Sequence, residues 1–301
     1  MDFLRAHAAK IAIAVVTLFV VLLLGEQLFV NRSRRMNTDI SASTPNQNPT
    51  EPMANSTGAP TSSSPETALP TYSIEVVRTI PHDAHAFTEG ILFHNGDLYE
   101  STGLHGQSSV RKLDPETGKL LKRLNIDAAY FGEGIVIVKD KLYQLTYQTG
   151  VGFVYDLKTF EQLRTFSYFG EGWGLTYDGE HIIMSDGTSS LRFLDPDSLL
   201  IRKMLTVTAN GVPVKNLNEL ELIKGELWAN VWQTDSIARI NPTTGKVTGW
   251  IDCSGLLTPE ERSNADVLNG IAYDAKRDII LLAWKNCSKM FEVRVKMKEK
   301  M

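Results

Sequence analysis

A motif that returns five times between residues 87 and 271 constrains this fold more than anything else in the chain. The copies are Phe87-Thr88-Glu89-Gly90-Ile91, Phe131-Gly132-Glu133-Gly134-Ile135, Glu171-Gly172-Trp173-Gly174-Leu175, Leu217-Asn218-Glu219-Leu220-Glu221 and Leu268-Asn269-Gly270-Ile271. Each opens a short strand and leads through a polar turn into a second: Asp97-Leu98-Tyr99, Lys141-Leu142-Tyr143, His181-Ile182-Ile183, Glu226-Leu227-Trp228 and Asp278-Ile279-Ile280. Farther along, an Asp- or Asn-led turn such as Asp114-Pro115-Glu116-Thr117-Gly118 or Asn241-Pro242-Thr243-Thr244-Gly245 introduces a last strand, expected over 120–124, 161–166, 201–207 and 246–251. Helical periodicity is scarce throughout, and a repeat of roughly 40–50 residues is the size of a four-stranded propeller blade. The fifth unit ends near Val295 without its last strand, while an orphan strand over 73–80 precedes the first unit. The two complete one another, which joins the ends of a ring and hides two sheet edges. A solenoid leaves that complementarity unexplained, and a β-sandwich leaves the repeat unexplained. The sequence therefore predicts an all-β, five-bladed β-propeller.

In such a ring the first strand of each unit lines the central axis. The motif glycine is expected to let the backbone turn tightly. The residue before it (Glu89, Glu133, Trp173 or Asn269) then stands at one mouth, with Glu219 or, one register step away, Asn218 in the fourth slot. Acidic and amide side chains converging on an axis are poor plugs unless paired, so a binding function is expected there. Plainer readings stand beside this one. A glycine-flanked Glu can serve pairing within the ring. Trp228 and Trp232 share one face at even spacing, with Trp228 assigned to the core. Glu221 either meets a basic neighbour or helps hold a structural calcium ion on the axis. Ser101 and Ser108 have no nucleophile elbow or His/Asp partner, the Asp-led turns are hairpin chemistry, and His82 and His85 are assigned to a surface loop.

Ahead of the repeats, residues 11–30 are almost wholly apolar, long enough for a bilayer span and without a small-x-small cleavage site, so an uncleaved anchor is expected after a tail over 1–10. Arg5 and Lys10 precede the span and Arg32, Arg34 and Arg35 follow it, which leaves its orientation open. Residues 37–71 are rich in Ser, Thr, Pro and Asn, so 31–71 reads as a flexible stalk and 72–301 as the folded domain. Asn-x-Ser/Thr sequons at Asn31, Asn55 and Asn286 suit a luminal, periplasmic or extracellular face. A formal net charge of -4 and the lack of a basic stripe give no reason to expect a nucleic-acid partner. Cys253 and Cys287 are the only cysteines, too few for a framework, and their spacing leaves a single bridge open.

The repeat motifs, together with Tyr99-Glu100-Ser101-Thr102-Gly103-Leu104, Ser185-Asp186-Gly187-Thr188, Trp228-Ala229-Asn230-Val231-Trp232-Gln233-Thr234-Asp235 and Asp266-Val267-Leu268-Asn269-Gly270, come in an order that resembles the plant- and bacterial-type glutamine cyclotransferases, the papaya-latex kind. The similarity runs from Ser73 to about Val295. It implies a five-bladed propeller, and an aminoacyltransferase that converts N-terminal glutamine of peptides and proteins to pyroglutamate with release of ammonia. No cofactor is implied for the chemistry, and a monomer is expected. The resemblance implies Glu133 as the acid/base, with Asn218 and Lys285 as catalytic partners, and Phe87, Glu89, Tyr147, Trp173 and Trp232 as substrate-binding residues. Two departures stand out. Tyr147 replaces a Trp of the plant members, and around Lys285 the sequence reads Ala283-Trp284-Lys285-Asn286-Cys287-Ser288-Lys289 in place of Thr-Gly-Lys-x-Trp-Pro-Lys.

These residue types suit the reaction. The α-amine attacks its own side-chain carboxamide, so a carboxyl can relay a proton between two nitrogens, Asn and Lys can bond the amide or oxyanion, and aromatic walls can hold the folded conformer. The competing readings are a non-catalytic ligand-binding propeller on a membrane stalk and a glycosidase, which needs two carboxylates about 5–9.5 Å apart.

Overall fold

The computed structural model of the protein describes residues 68–297. The tail, the apolar span over 11–30 and the stalk up to residue 67 lie outside the described residues. Among those described, no helix is long and apolar enough to cross a membrane.

The fold is all-β and propeller-like. Strand β1 (Thr71–Pro81) opens it, and the repeat units follow as four-stranded antiparallel sheets. The first holds β2 (Thr88–His94), β3 (Asp97–Thr102), β4 (Ser109–Leu113) and β5 (Leu120–Asn125). The second holds β6 (Gly132–Val138), β7 (Lys141–Thr146), β8 (Val151–Asp156) and β9 (Gln162–Ser167). The third holds β10 (Leu175–Tyr177), β11 (Ile182–Met184), β12 (Ser190–Leu194) and β13 (Ile201–Thr206). A small hairpin, β14 (Thr208–Ala209) and β15 (Val212–Pro213), precedes β16 (Leu217–Ile223), β17 (Glu226–Val231), β18 (Ser236–Ile240) and β19 (Val247–Asp252). Helix α1 (Pro259–Asn264) leads to β20 (Leu268–Asp274), β21 (Ile279–Trp284) and β22 (Lys289–Met297).

As the orphan strand predicted, β1 pairs antiparallel with β22 and completes the last unit. It also pairs in parallel with β19 through Thr71, Tyr72 and Ser73, which fuses the last two units into one eight-stranded sheet. Nothing in the repeat announces that second pairing, because it depends on how two finished sheets meet.

Burial falls from axis to rim. Every residue of β6 is buried, whereas β5, β9 and β13 are largely exposed. Apolar clusters fill the gaps between neighbouring sheets: Tyr99 and Val110 pack against Ile135, Leu142 and Phe153, and Ile80, Leu281 and Met290 close the circle onto Ile91 and Leu98. The Asp- and Asn-led turns are hairpin chemistry, as read: Asp114, Asp156, Asp195 and Asn241 each accept two backbone N–H groups from the residues two and three ahead.

The motif glycines have a different role from the tight turns expected of them. A Cβ on Gly134 would lie 2.5 Å from the Trp173 carbonyl oxygen, and one on Gly90 2.8 Å from the Ile135 nitrogen. Gly174 is pressed in the same way onto Asn218 and Glu219. They are glycines because adjacent inner strands touch there, backbone to backbone. The fourth unit has Glu219 in that slot, and its side chain crosses the axis instead.

Candidate active site

In each hairpin of inner and second strand, the start of one lies beside the end of the other: Thr88 opposes Thr102, Gly132 opposes Thr146, Leu217 opposes Val231 and Leu268 opposes Trp284. One mouth of the axis is thus rimmed by two series of residues, those around the first strand's start and those just past the second strand's end. A cavity of about 250 Å³ opens there. Phe87, Glu89, Glu133, Trp173 and Asn218 line it from the first series, and Tyr147, Trp232 and Lys285 from the second. All eight residues singled out in the sequence meet in this one cavity.

Latches between neighbouring sheets hold the backbone. The Ser101 hydroxyl donates 2.5 Å to the Glu133 carbonyl oxygen and is itself held by Gln144, which accepts from the Tyr155 hydroxyl. Ser185 donates 2.6 Å to the Asn218 carbonyl oxygen, and Ser108 accepts from the Gly132 N–H. Ser101 and Ser108 are therefore positioning groups for the axis residues and have no part as nucleophiles.

The floor of the cavity is ionic. The Lys285 ammonium donates to Glu89 Oε1 at 2.6 Å, and Asn269 Nδ2 donates to Glu89 Oε2 at 3.1 Å. Glu89 and Glu133 line the cavity together, and both are almost fully enclosed, at 1% and 5% exposure. Burial raises the pKa of each. For Glu133 the adjacent Glu89 adds to the rise and lifts it well above the usual carboxyl range; for Glu89, Lys285 works against it. Glu133 therefore holds a proton more readily than Glu89, which faces the lysine.

The walls are aromatic. Trp173 and Trp232 meet edge to face at 5.5 Å, Phe87 meets Phe131 at 6.0 Å, and Lys285 Nζ lies 4.4 Å from the Phe87 ring centre. Trp173 Nε1 donates 3.0 Å to Glu171, which fixes the ring. Asn218 is 4% exposed and its Oδ1 has no hydrogen-bond partner among the described residues, so an acceptor in the cavity wall awaits a donor.

The sequence profile of the glutamine cyclotransferase family matches residues 50–295. The chain belongs to the glutamine cyclotransferase family. It is 43% identical over 248 residues to glutaminyl-peptide cyclotransferase of Arabidopsis thaliana, covering 80% of this chain and 77% of the plant protein. Among solved structures, the glutaminyl cyclase of Myxococcus xanthus aligns with a TM-score of 0.70 at 34% identity, covering 77% of this chain and all of that one.

Several readings change within the family framework. The fourth-slot register settles on Asn218, since Glu219 turns down the axis to accept the N–H groups of Ile91 and Ile271. Trp228 packs in the core, but β17 ends at Val231, so Trp232 leaves the shared face and reaches the cavity. Cys253 and Cys287 are free, buried thiols in one apolar cluster, not a bridge. Glu221 has no basic partner among the described residues: it accepts from the Tyr273 N–H at 3.1 Å and the Thr176 hydroxyl at 3.5 Å. His82 lies in a loop, but its side chain is turned inward and only 1% exposed. Phe131, Gln233, Asp266 and Val267 also line the cavity. Phe131 occupies the same motif position as Phe87, and Val267 accepts the Lys285 N–H across its hairpin, so the repeat register held a signal for both.

Proposed function

We propose that this cavity closes N-terminal glutamine of peptides and proteins into pyroglutamate, making the chain a glutaminyl-peptide cyclotransferase of the aminoacyltransferase kind. The observation that carries the reading is a buried carboxyl, Glu133, beside a second one, Glu89, that is held by Lys285, in a cavity of about 250 Å³. That is smaller than the ~300–1,000 Å³ of pockets for drug-sized ligands and suits a single residue at a chain end.

The substrate amine enters neutral, which its ordinary pKa of about 7.7–8.0 permits near neutral pH. Its nitrogen attacks the carboxamide carbon. A C–N bond closes the five-membered lactam, and the bond to the amide nitrogen breaks. Glu133 gives its proton to the leaving nitrogen, and the carboxyl pair takes up the proton shed by the attacking one. Ammonia leaves and the site is restored. Asn218 Oδ1 accepts an N–H of the amine, and the N–H groups of Lys285 not spent on Glu89 face the developing oxyanion. Phe87, Tyr147, Trp173 and Trp232 hold the folded conformer and exclude water.

No step uses a cofactor. A calcium ion on the axis would draw on Glu219 and Glu221, whose oxygens accept N–H and hydroxyl groups of the protein, so it is given no part in the reaction.

The ring is read as five-bladed, on the support of inner strands β2, β6, β10, β16 and β20, each packed against the next and the last against the first. An uncleaved anchor over 11–30 and a stalk that ends where β1 begins at Thr71 present a monomeric domain on the luminal, periplasmic or extracellular side, where secreted N-termini are met. The length of the apolar run and the sequons support that placement.

Incubation with a Gln-Phe peptide tests the reading. Release of ammonia with matching loss of peptide mass is expected. Binding of the peptide without mass loss would leave a ligand-binding propeller in its place.

A further inference from the structure

His82 lies outside the cavity, just past β1, in a segment to which the reaction assigns nothing. Its Nε2 sits 2.8 Å from Glu100 Oε1 and its Nδ1 3.0 Å from the Cys287 carbonyl oxygen. Both partners are acceptors, so satisfying both requires a proton on each ring nitrogen. The ring is then an imidazolium facing a carboxylate that is itself fully buried.

What these partners hold gives the arrangement its meaning. Glu100 Oε1 also accepts the Thr88 hydroxyl at 2.8 Å, and Thr88 immediately precedes Glu89 on β2. Cys287 stands two residues after Lys285, on the turn that links β21 to β22. The same turn is gripped by His82 N–H to the Ser288 carbonyl oxygen at 2.9 Å and by Asn286 N–H to the Ala86 carbonyl oxygen at 2.7 Å. The imidazolium therefore bridges the strand that carries Glu89 and the turn that carries Lys285, the two side chains in contact at 2.6 Å on the cavity floor.

The charged groups around the ring are Glu100 from β3, Arg111 from β4 and Asp83 from its own loop. Arg111 Nη1 lies 3.0 Å from Asp83 and 3.5 Å from Glu100. Burial alone would lower the pKa of His82, and Arg111 works in the same direction; Glu100 and the Cys287 carbonyl outweigh them and the net shift is upward.

We propose that His82 is a positioning residue for the cyclisation: clasped between Glu100 and the Cys287 carbonyl, it sets the Lys285–Glu89 contact on which the carboxyl pair depends. The proposal rests on the function assigned to the cavity, and its test separates the two. Wild-type turnover of the Gln-Phe peptide is measured first. If there is none, the assigned function fails and His82 is judged by the spectroscopic readout alone.

With turnover in hand, His82→Gln should lower kcat by roughly 10-fold with KM within about 2-fold, and should add less than about 2-fold in a Lys285→Met background, because both changes act on one contact. Thr88→Val, which cuts the far end of the clasp without touching a charge, should follow the same pattern. Equal multiplicative losses from His82→Gln in both backgrounds overturn the proposal. The second readout needs no turnover. In protein labelled with ¹⁵N-lysine, the Lys285 ammonium resonance should move in both His82→Gln and Thr88→Val; a folded variant with that resonance unmoved overturns the proposal as well.

Discussion

Two pairs of buried acids lie along the axis of this molecule, and they differ in what surrounds them. At the mouth, Glu89 and Glu133 meet beside a lysine and face a cavity. Farther in, Glu219 and Glu221, two residues apart on β16, meet the N–H groups of Ile91, Ile271 and Tyr273 and the Thr176 hydroxyl. Burial raises the pKa in both places, so a perturbed acid alone does not mark the site of chemistry. The difference lies in the remaining partners. The inner pair is committed to protein donors that do not leave. The outer pair has a cation and an open face.

The largest effect should separate the pairs outright. Glu133→Gln should lower kcat by about 10²–10⁴-fold, the usual range for a lost acid/base group, with a thermal midpoint close to wild type. Steady-state ammonia release and a melting curve check this, and near-normal turnover in a folded variant would break the contrast. Next, Asn218→Ala removes the vacant acceptor. A hydrogen bond to a charged or polarised substrate group is worth ~1.5–3 kcal/mol, so kcat/KM should fall roughly 10–100-fold.

Glu219→Gln should do the opposite. Its new NH2 would confront an N–H of Ile91 or Ile271, and stability should drop by ~1–3 kcal/mol in urea unfolding while kcat stays within about 2-fold. A catalytic loss as large as that of Glu133→Gln would show that the inner pair takes part after all. The remaining effect is a slope that leaves catalysis aside. Burial pushes Glu221 up to about 8 from an ordinary 4.5. Its contribution to stability is thus fully present below 4.5 and is lost as pH rises through about 8. Urea midpoints across that window should decline with pH in the wild type and decline less in Glu221→Gln.

The strand pairs were legible because the repeat places the same residue types at the same beats: Gly90, Gly134 and Gly174, and the turn acids Asp114, Asp156 and Asp195. The candidate site was legible because its residues occupy equivalent slots in those beats, which is why order alone points to Glu89 and Glu133 and leaves the fourth slot between Glu219 and Asn218. What escaped was whatever depends on contact between units. The glycines were read as turn residues when the neighbouring backbone was the constraint. His82 reads in sequence as a surface-loop residue ahead of the first unit, whereas Glu100 and the Cys287 carbonyl, which its side chain meets, come from other parts of the chain. Helix α1 was missed although Thr258-Pro259-Glu260-Glu261 spells a capping box: Thr258 accepts from the Glu261 N–H, and Glu261 reaches back to the Thr258 N–H. A single turn among so many strands leaves no periodicity to find.

The double pairing of β1 has a mechanical consequence. Its ladder with β22 runs from Tyr72 opposite Met297 to Pro81 opposite Lys289, while its first residues are also stitched to β19. Tension applied at Thr71 along the strand would load these bonds side by side, in shear, and would be divided between two sheets. A strand held that way resists being peeled off one bond at a time.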